Sequence, residues 1–408
     1  MSGTASAGLP RRLRIGLFVQ GRFHAFDLAR ALIERGHVVR LLTNYPKWAI
    51  RRFGLTDQNI ETNVAHGIAS KIADRVHRFL PGFDLNPALN RWFGTWAARK
   101  LKNGSFDVVH GFTQVAEEPL RRVSAPVRTV VRGSAHIRTQ AAILATEQNR
   151  LGSALGVPST WSIAREEREY TLADSIVVLS SFAYRSFVEQ GTRPERIRLL
   201  RLGVDTRGFR PDAGVLADRT RRILSGEPLR LLMVGTFSAQ KGAHDFRDIV
   251  CQLPPSGFLF RFVGAVEPEV AAIAKQLRDR VDFVPRQMQS ALPAQYAWGD
   301  LFLFPTLQDG FAVVLSQAQA ACLPVLTTTN SSGPDLIVDG KTGWVLPIRD
   351  SESFVRRIRW CSDNRDAVAG MVAYLDAHHV TRDWKEVAAD FEALMYDLMQ
   401  ARRSEAPV

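Results

Sequence analysis

The chain has 408 residues, 46% hydrophobic and 23% charged, a balance that excludes disordered and collagen-like classes and suits two folded domains. A formal net charge of +12 leaves three anionic partners open: nucleic acid, a membrane surface, or a polyphosphate-type substrate. No apolar run approaches the roughly 18 residues that span a bilayer.

The first ten residues are small and polar, and "LRIGLFVQG" follows. That stretch is short and leads through Gly21 into a helical pattern, so it reads as a first β-strand rather than a signal peptide, and we expect a cytoplasmic chain. "AFDLARALIER" carries apolar residues at helical spacing, and "GHVVRLLT" is a second strand after a glycine stop. The same alternation returns at "FDVVHGF", "VRTVVRG" and "DSIVVLS". Alternating strands and helices predict a parallel sheet covered on both faces.

Residues 60–102 break the rhythm. Ile68, Ile72, Val76, Phe79 and Leu80 form an apolar stripe beside Lys71, Arg75 and Arg78, and Phe83, Trp92, Phe93 and Trp96 follow. Two readings stand: ordinary helices packed on the first domain, or a basic, aromatic surface that docks on anionic lipid.

"LRLGVDTRGFRP" interrupts the alternation again, and "EPLRLLMVGTF" opens a second series of strands. The predicted architecture is α/β with two Rossmann-like domains, 1–205 and 206–382. An amphipathic C-terminal helix lies within 383–408, with Trp384, Val387, Phe391, Leu394, Met395 and Leu398 on one stripe. Cys251, Cys322 and Cys361 are widely spaced in apolar contexts without metal-ligand spacing, and are expected to be plain core cysteines of a reducing compartment. No zinc finger or aromatic-basic repeat appears, which counts against nucleic acid.

Ligands of open parallel sheets bind beyond the carboxyl ends of the strands, so the loops there carry the chemistry. In "VGTFSAQKG", Gly235 permits a close turn and Lys241 adds a positive charge before a helix start, an arrangement suited to a diphosphate. In "PTLQDGFAVVLSQAQA", Asp309 and Gly310 stand at a helix start with Gln317 one to two turns further on. Asp309 can accept hydrogen bonds from sugar hydroxyls and Gln317 can reach a ribose; equally, Asp309 is a helix cap and Gln317 a helix-surface residue.

These segments, with "RGH" at Arg35–His37, "GVDTRGFRP" and "TTNSSGPDLIVDGKTGWVLPI", resemble in order and spacing the family-four retaining glycosyltransferases (glycosyl transferases group 1). The resemblance implies the GT-B fold, in which two Rossmann-like domains face each other across a cleft and the C-terminal helix crosses back to the first domain. It implies transfer of a sugar from a nucleotide-diphosphate sugar to a saccharide or lipid-linked acceptor, with no metal and no cofactor beyond that co-substrate. Lys241 would neutralise the leaving diphosphate, with Gly235 and Thr236 in the phosphate loop. Asp309 would contact the donor sugar together with the amides of Gly310, Phe311 and Ala312, Gln317 would hold the ribose, and Gly21 would lie near the diphosphate or acceptor. Three departures stand out. Thr236 replaces a common arginine, Asp309 and Gln317 replace a pair of glutamates, and the usual histidine after the fifth strand is displaced, leaving Arg132 or His136 to serve. A degenerate scaffold subunit and a nucleotide-sugar epimerase of the same fold are the rival readings.

Overall fold

A computed structural model describes residues 12–79 and 84–405. The expectations about the first ten residues, and those that concern the side chains of Arg78 and Phe79 or the residues Leu80 and Phe83, lie outside what is described.

The first sheet comprises β1 (Arg14–Val19), β2 (Val38–Thr43), β3 (Ile60–Thr62), β4 (Val108–Phe112), β5 (Val127–Arg132), β6 (Ser175–Val178) and β7 (Ile197–Leu199), in the order β3-β2-β1-β4-β5-β6-β7. Parallel registers run from Leu41↔Ile60 through Ile15↔Val39 and Ile15↔Val108 to Val108↔Val127. The second sheet comprises β8 (Leu229–Phe237), β9 (Phe258–Val266), β10 (Val281–Val284), β11 (Leu301–Phe304), β12 (Val325–Thr328) and β13 (Gly343–Leu346), in the order β10-β9-β8-β11-β12-β13, all parallel. In both sheets the order reverses beside the first strand, which creates the switch point where such sheets bind ligands.

The chain groups into two compact units. One contains 1–131, 159–177 and 384–408, the other 132–158 and 178–383. In the first, Val387, Phe391 and Met395 of the C-terminal helix Trp384–Glu405 are fully buried. Phe391 meets the His110 ring edge-on at 5.1 Å, Arg35 Nε donates to Glu392 at 2.8 Å, and Arg402 pairs with Asp174 at 2.8 Å. A stripe with this spacing gains stability only by losing contact with water, so the helix must lie against a partner surface.

Within 60–102, after the short strand β3, lie the helices Val64–Phe79 and Asn86–Lys102. The second buries Leu89, Phe93, Ala97 and Leu101. The first buries His66 and Ala73, whereas Ile68 and Ile72 are each 57% exposed and Val64 is exposed as well. Its apolar row therefore points to solvent, although an ordinary packed helix would turn such a row inward.

In the second unit β8, β11 and β12 are buried along most of their length, because helices cover both faces of the parallel sheet. Arg219, on the helix Ala213–Leu224, is fully buried. Its guanidinium donates to the carbonyls of Tyr296 at 3.1 Å, Ala321 at 2.6 Å and Cys322 at 3.2 Å. These oxygens lie at the carboxyl ends of the helices Leu292–Trp298 and Val313–Ala320, where the last turn leaves carbonyls without helical partners. Cys322 and Cys361 are buried and their thiols are pushed up to about 11 and about 12, but Cys251 is exposed, a correction to its expected core position. Among the described residues no helix is long and apolar enough to cross a membrane.

Candidate functional site

At the carboxyl edge of the second sheet two loops are knitted together. β8 continues through Gly235 and Thr236 to Phe237, in register with β9 up to Val266, so the first loop is only the short link to the helix Ala243–Gln252. Within it Lys241 N donates to Ser238 O, Gly242 N to Ala239 O and Ala243 N to Ser238 O, which uses those amides inside the turn. Gly242 has φ +79°, and a Cβ there would stand 1.9 Å from Pro305 O; only glycine lets this turn touch the segment after β11. Leu307 N and the Thr306 hydroxyl both donate to Gln240 O, which closes the seam.

Across that seam Lys241 Nζ lies 2.7 Å from Asp309 Oδ2, with both side chains half-buried. Asp309 Oδ1 accepts from Phe311 N at 3.2 Å, and Asp309 N donates to Asn330 O at 2.8 Å. Ala312 N donates to Ser332 Oγ at 3.2 Å. Lys241, Asp309, Gly310, Phe311 and Ala312 thus come together, but the cation, the carboxylate and two of the amides expected to meet a donor already bind one another or Ser332.

Gln317 sits on the helix Val313–Ala320 and is buried, and its Oε1 accepts from the buried Tyr296 hydroxyl at 3.0 Å. Its oxygen faces the core here. Arg132 Nε donates to Ala135 O at 3.1 Å and its Nη2 to Gln140 Oε1, so its guanidinium holds its own turn. His136 is buried as the cap of the helix Ile137–Leu151: Nδ1 accepts from Arg138 N at 3.2 Å, which places the ring proton on Nε2. The ring rests edge-on against Phe187.

In the first unit Gly21 adopts φ +93°, its N–H donates to Asn44 Oδ1 at 2.8 Å, and its carbonyl accepts from the Thr43 hydroxyl at 2.8 Å. His110 is fully buried in β4, with Nδ1 2.7 Å from Thr129 Oγ1, and burial pushes its pKa down to about 3.

Two contributors escaped sequence reasoning. The Ser134 hydroxyl donates to Gln308 Oε1 at 2.6 Å, and a Cβ on Gly310 would stand 2.0 Å from Gly133 O, so the turn after β5 rests on the Asp309 loop. Gln308 is fully buried and its Nε2 has no hydrogen-bond partner. The only signal in the sequence is a polar residue beside "DG", which is common in turns. A cavity of about 350 Å³ behind the helix Val313–Ala320 is lined by Arg201, Phe311, Ser316, Asp335 and His379, but by neither Lys241 nor Asp309.

Residues 22–207 match the model of Glycosyltransferase Family 4, and residues 228–364 that of Glycosyl transferases group 1. WcaL of Salmonella typhimurium, which carries the name of a colanic acid biosynthesis glycosyltransferase, is 27% identical over 216 residues, 49% of each chain. The chain spans about half the length of the curated relatives it matches first. Among solved structures, Anabaena HepE in complex with UDP-glucose matches with TM-score 0.62 and 13% identity over 97% of this chain and 100% of that one. Sucrose-phosphate synthase of Thermosynechococcus elongatus matches with TM-score 0.68 and 16% identity over 96% of this chain and 100% of that one. At such identities the likeness speaks for the fold, two parallel Rossmann-like sheets of the GT-B type.

Proposed function

The chain belongs to the family-four, group 1 glycosyltransferases, and from that premise we propose that it transfers a sugar from a nucleotide-diphosphate sugar to a saccharide or lipid-linked acceptor hydroxyl, with retention of configuration. The observation that carries this reading is the Lys241–Asp309 pair at the carboxyl edge of the second sheet. A cation beside a helix start suits a diphosphate, and a carboxylate next to it suits sugar hydroxyls. When the donor enters, Lys241 exchanges Asp309 for the diphosphate, and Asp309 together with the amides of Gly310, Phe311 and Ala312 turns to the sugar. Gln317 reaches the ribose only by giving up Tyr296, and Arg132 reaches the diphosphate only by releasing Gln140. Gly235 and Thr236 border the phosphate loop, and in the first unit the turn at Gly21, at the carboxyl end of β1, serves the acceptor.

In the reaction the bond from the anomeric carbon to the diphosphate oxygen breaks and a bond to the acceptor oxygen forms on the same face. The acceptor proton passes to the departing phosphate, so no metal or further cofactor is required. Lys241 stabilises charge that grows on the leaving oxygen, which is preorganised electrostatics rather than proton transfer. HepE's bound UDP-glucose and WcaL's name direct the first assays to UDP-sugars and to surface polysaccharide synthesis.

The outward row Val64, Ile68 and Ile72, with Lys71 and Arg75 on the same helix, supports a second partner, an anionic membrane surface on the cytoplasmic side. Co-sedimentation with phosphatidylglycerol vesicles that is lost in high salt tests it.

The deciding experiment is a thermal-shift and nucleotide-release screen against UDP-, GDP- and ADP-sugars, because a bound donor raises apparent stability by mass action. Binding with slow release of nucleoside diphosphate is the expected result. No binding of any donor would leave the scaffold reading in its place.

A further inference from the structure

Phe23 is held in an unusual state. It follows Gly21 at the carboxyl end of β1, the edge where parallel sheets take their ligands. Its backbone has φ +39°, a region that bulky L-residues rarely enter, and the residue is 68% exposed. Neither burial nor backbone preference explains a phenylalanine here; a glycine or asparagine would sit there with less strain.

The ring is nevertheless fixed. It stacks on Phe112 with centroids 5.7 Å apart and planes at 25°. Phe112 ends β4, is buried, and meets His24 at 4.8 Å; His24 in turn stacks on Trp384 at 6.5 Å and 15°. Four rings from β4, the turn after β1 and the C-terminal helix thus back one another. With Phe112 stacked against it, Phe23 still keeps 68% of its surface exposed, so the ring has aromatic surface open to solvent. Backbone strain that the surroundings maintain is a mark of ligand sites.

We propose that the exposed surface of the Phe23 ring is a stacking platform for a pyranose ring of the acceptor, an inference that rests on the transferase reading above. The face of an aromatic ring is electron-rich and attracts positively polarised hydrogens. The axial C–H bonds of a pyranose present such hydrogens on one flat face. A rigid ring backed by further rings matches a rigid, flat ligand and loses little freedom when it binds one. Arg22, beside it, has its guanidinium over Phe53 at 3.9 Å and paired with Asp27 at 3.4 Å, so the neighbouring charge is already engaged.

The test uses the full chain and three variants, Phe23→Ala, Phe23→Asn and Phe23→Trp; asparagine keeps the left-handed backbone and removes the ring. The probes are methyl β-D-glucopyranoside, methyl β-D-galactopyranoside and methyl α-D-mannopyranoside, observed by saturation-transfer NMR. At least one should receive its strongest saturation at the protons of one C–H face. Its Kd should rise about tenfold in the Ala and Asn variants, the scale of one aromatic contact, and stay near wild type in the Trp variant. An unchanged Kd in the Ala and Asn variants overturns the proposal. So does the absence of saturation in all three probes while UDP still raises the Tm of the wild-type protein, a result that leaves the transferase reading standing. If UDP, GDP and ADP and their sugars also fail to shift Tm, both readings fall together.

Discussion

Lys241 Nζ donates to Asp309 Oδ2 at 2.7 Å, and the other oxygen of that carboxylate accepts from the amide of Phe311 at 3.2 Å. One aspartate therefore occupies both the cation and one of the amides that the proposed function assigns to a diphosphate sugar, so under that proposal ligand and carboxylate compete. Asp309→Asn should bind UDP more tightly than the wild type, by several-fold, because an anion beside the diphosphate is gone. The same variant should lose about a hundredfold or more in transfer, on the scale of a lost transition-state contact. Lys241→Ala should weaken both. Isothermal titration with UDP and initial rates of nucleotide release separate the two effects; weaker UDP binding by Asp309→Asn would contradict the competition.

The pair adds little to folding. Both side chains are mostly out of water, with 22% and 19% of their surface exposed, so the cost of desolvating the two charges offsets much of their attraction. Lys241→Ala should accordingly unfold in urea close to the wild-type midpoint.

Gly310 touches backbone rather than a movable side chain. A Cβ would meet Gly133 O at 2.0 Å and Ser134 Cα at 2.6 Å. Gly310→Ala should therefore separate the two turns, break the Ser134–Gln308 hydrogen bond and cost about 1–3 kcal/mol by overpacking. A urea midpoint equal to wild type would show that the turns part freely.

Arg219 satisfies carbonyls at the ends of two helices from a fully buried position. Burial lowers its pKa to about 10, which leaves it cationic at neutral pH. Arg219→Met keeps much of the volume and takes the guanidinium from the carbonyls of Ala321 and Cys322, so unfolding free energy should fall by about 3 kcal/mol or more. Chemical denaturation followed by tryptophan fluorescence reads this directly.

Acid should unfold the first unit through His110. Its folded pKa is about 3, against an ordinary 6.5. Between these values the unfolded chain binds the proton and the folded one does not, so stability is full above about pH 6.5 and declines as pH falls toward 3. The slope from this residue is about 1.4 kcal/mol per pH unit, and His110→Gln should remove it. Parallel pH profiles for wild type and variant would be inconsistent with a buried neutral imidazole.

Alternating apolar runs determined both sheets, because parallel strands covered on both faces must be apolar almost throughout, as β4, β11 and β12 are. The spacing of Val387, Phe391 and Met395 likewise determined which face of the last helix is buried, since 3.6 residues per turn is a local property. The "KG" and "DG" turns marked Lys241 and Asp309 for the same reason: turn chemistry is written within a few residues.

Tertiary structure alone decided what those groups touch. The sequence marked Lys241 and Asp309 separately, yet they are 68 residues apart and only the seam between β8 and β11 pairs them. Gln317 and His136 have the residue types of ligand contacts, but a buried Tyr296 and a helix N-terminus claim them first, because an unsatisfied polar atom in the interior is costly. Ile68 and Ile72 form a regular apolar row whether it faces a core or water; periodicity gives the row, and only the packing of His66 and Ala73 on the opposite side sets its direction. Phe23 carries no sequence signal at all. Its significance lies in a positive φ and in a stack of rings from three distant segments, which are properties of the fold and of no local window.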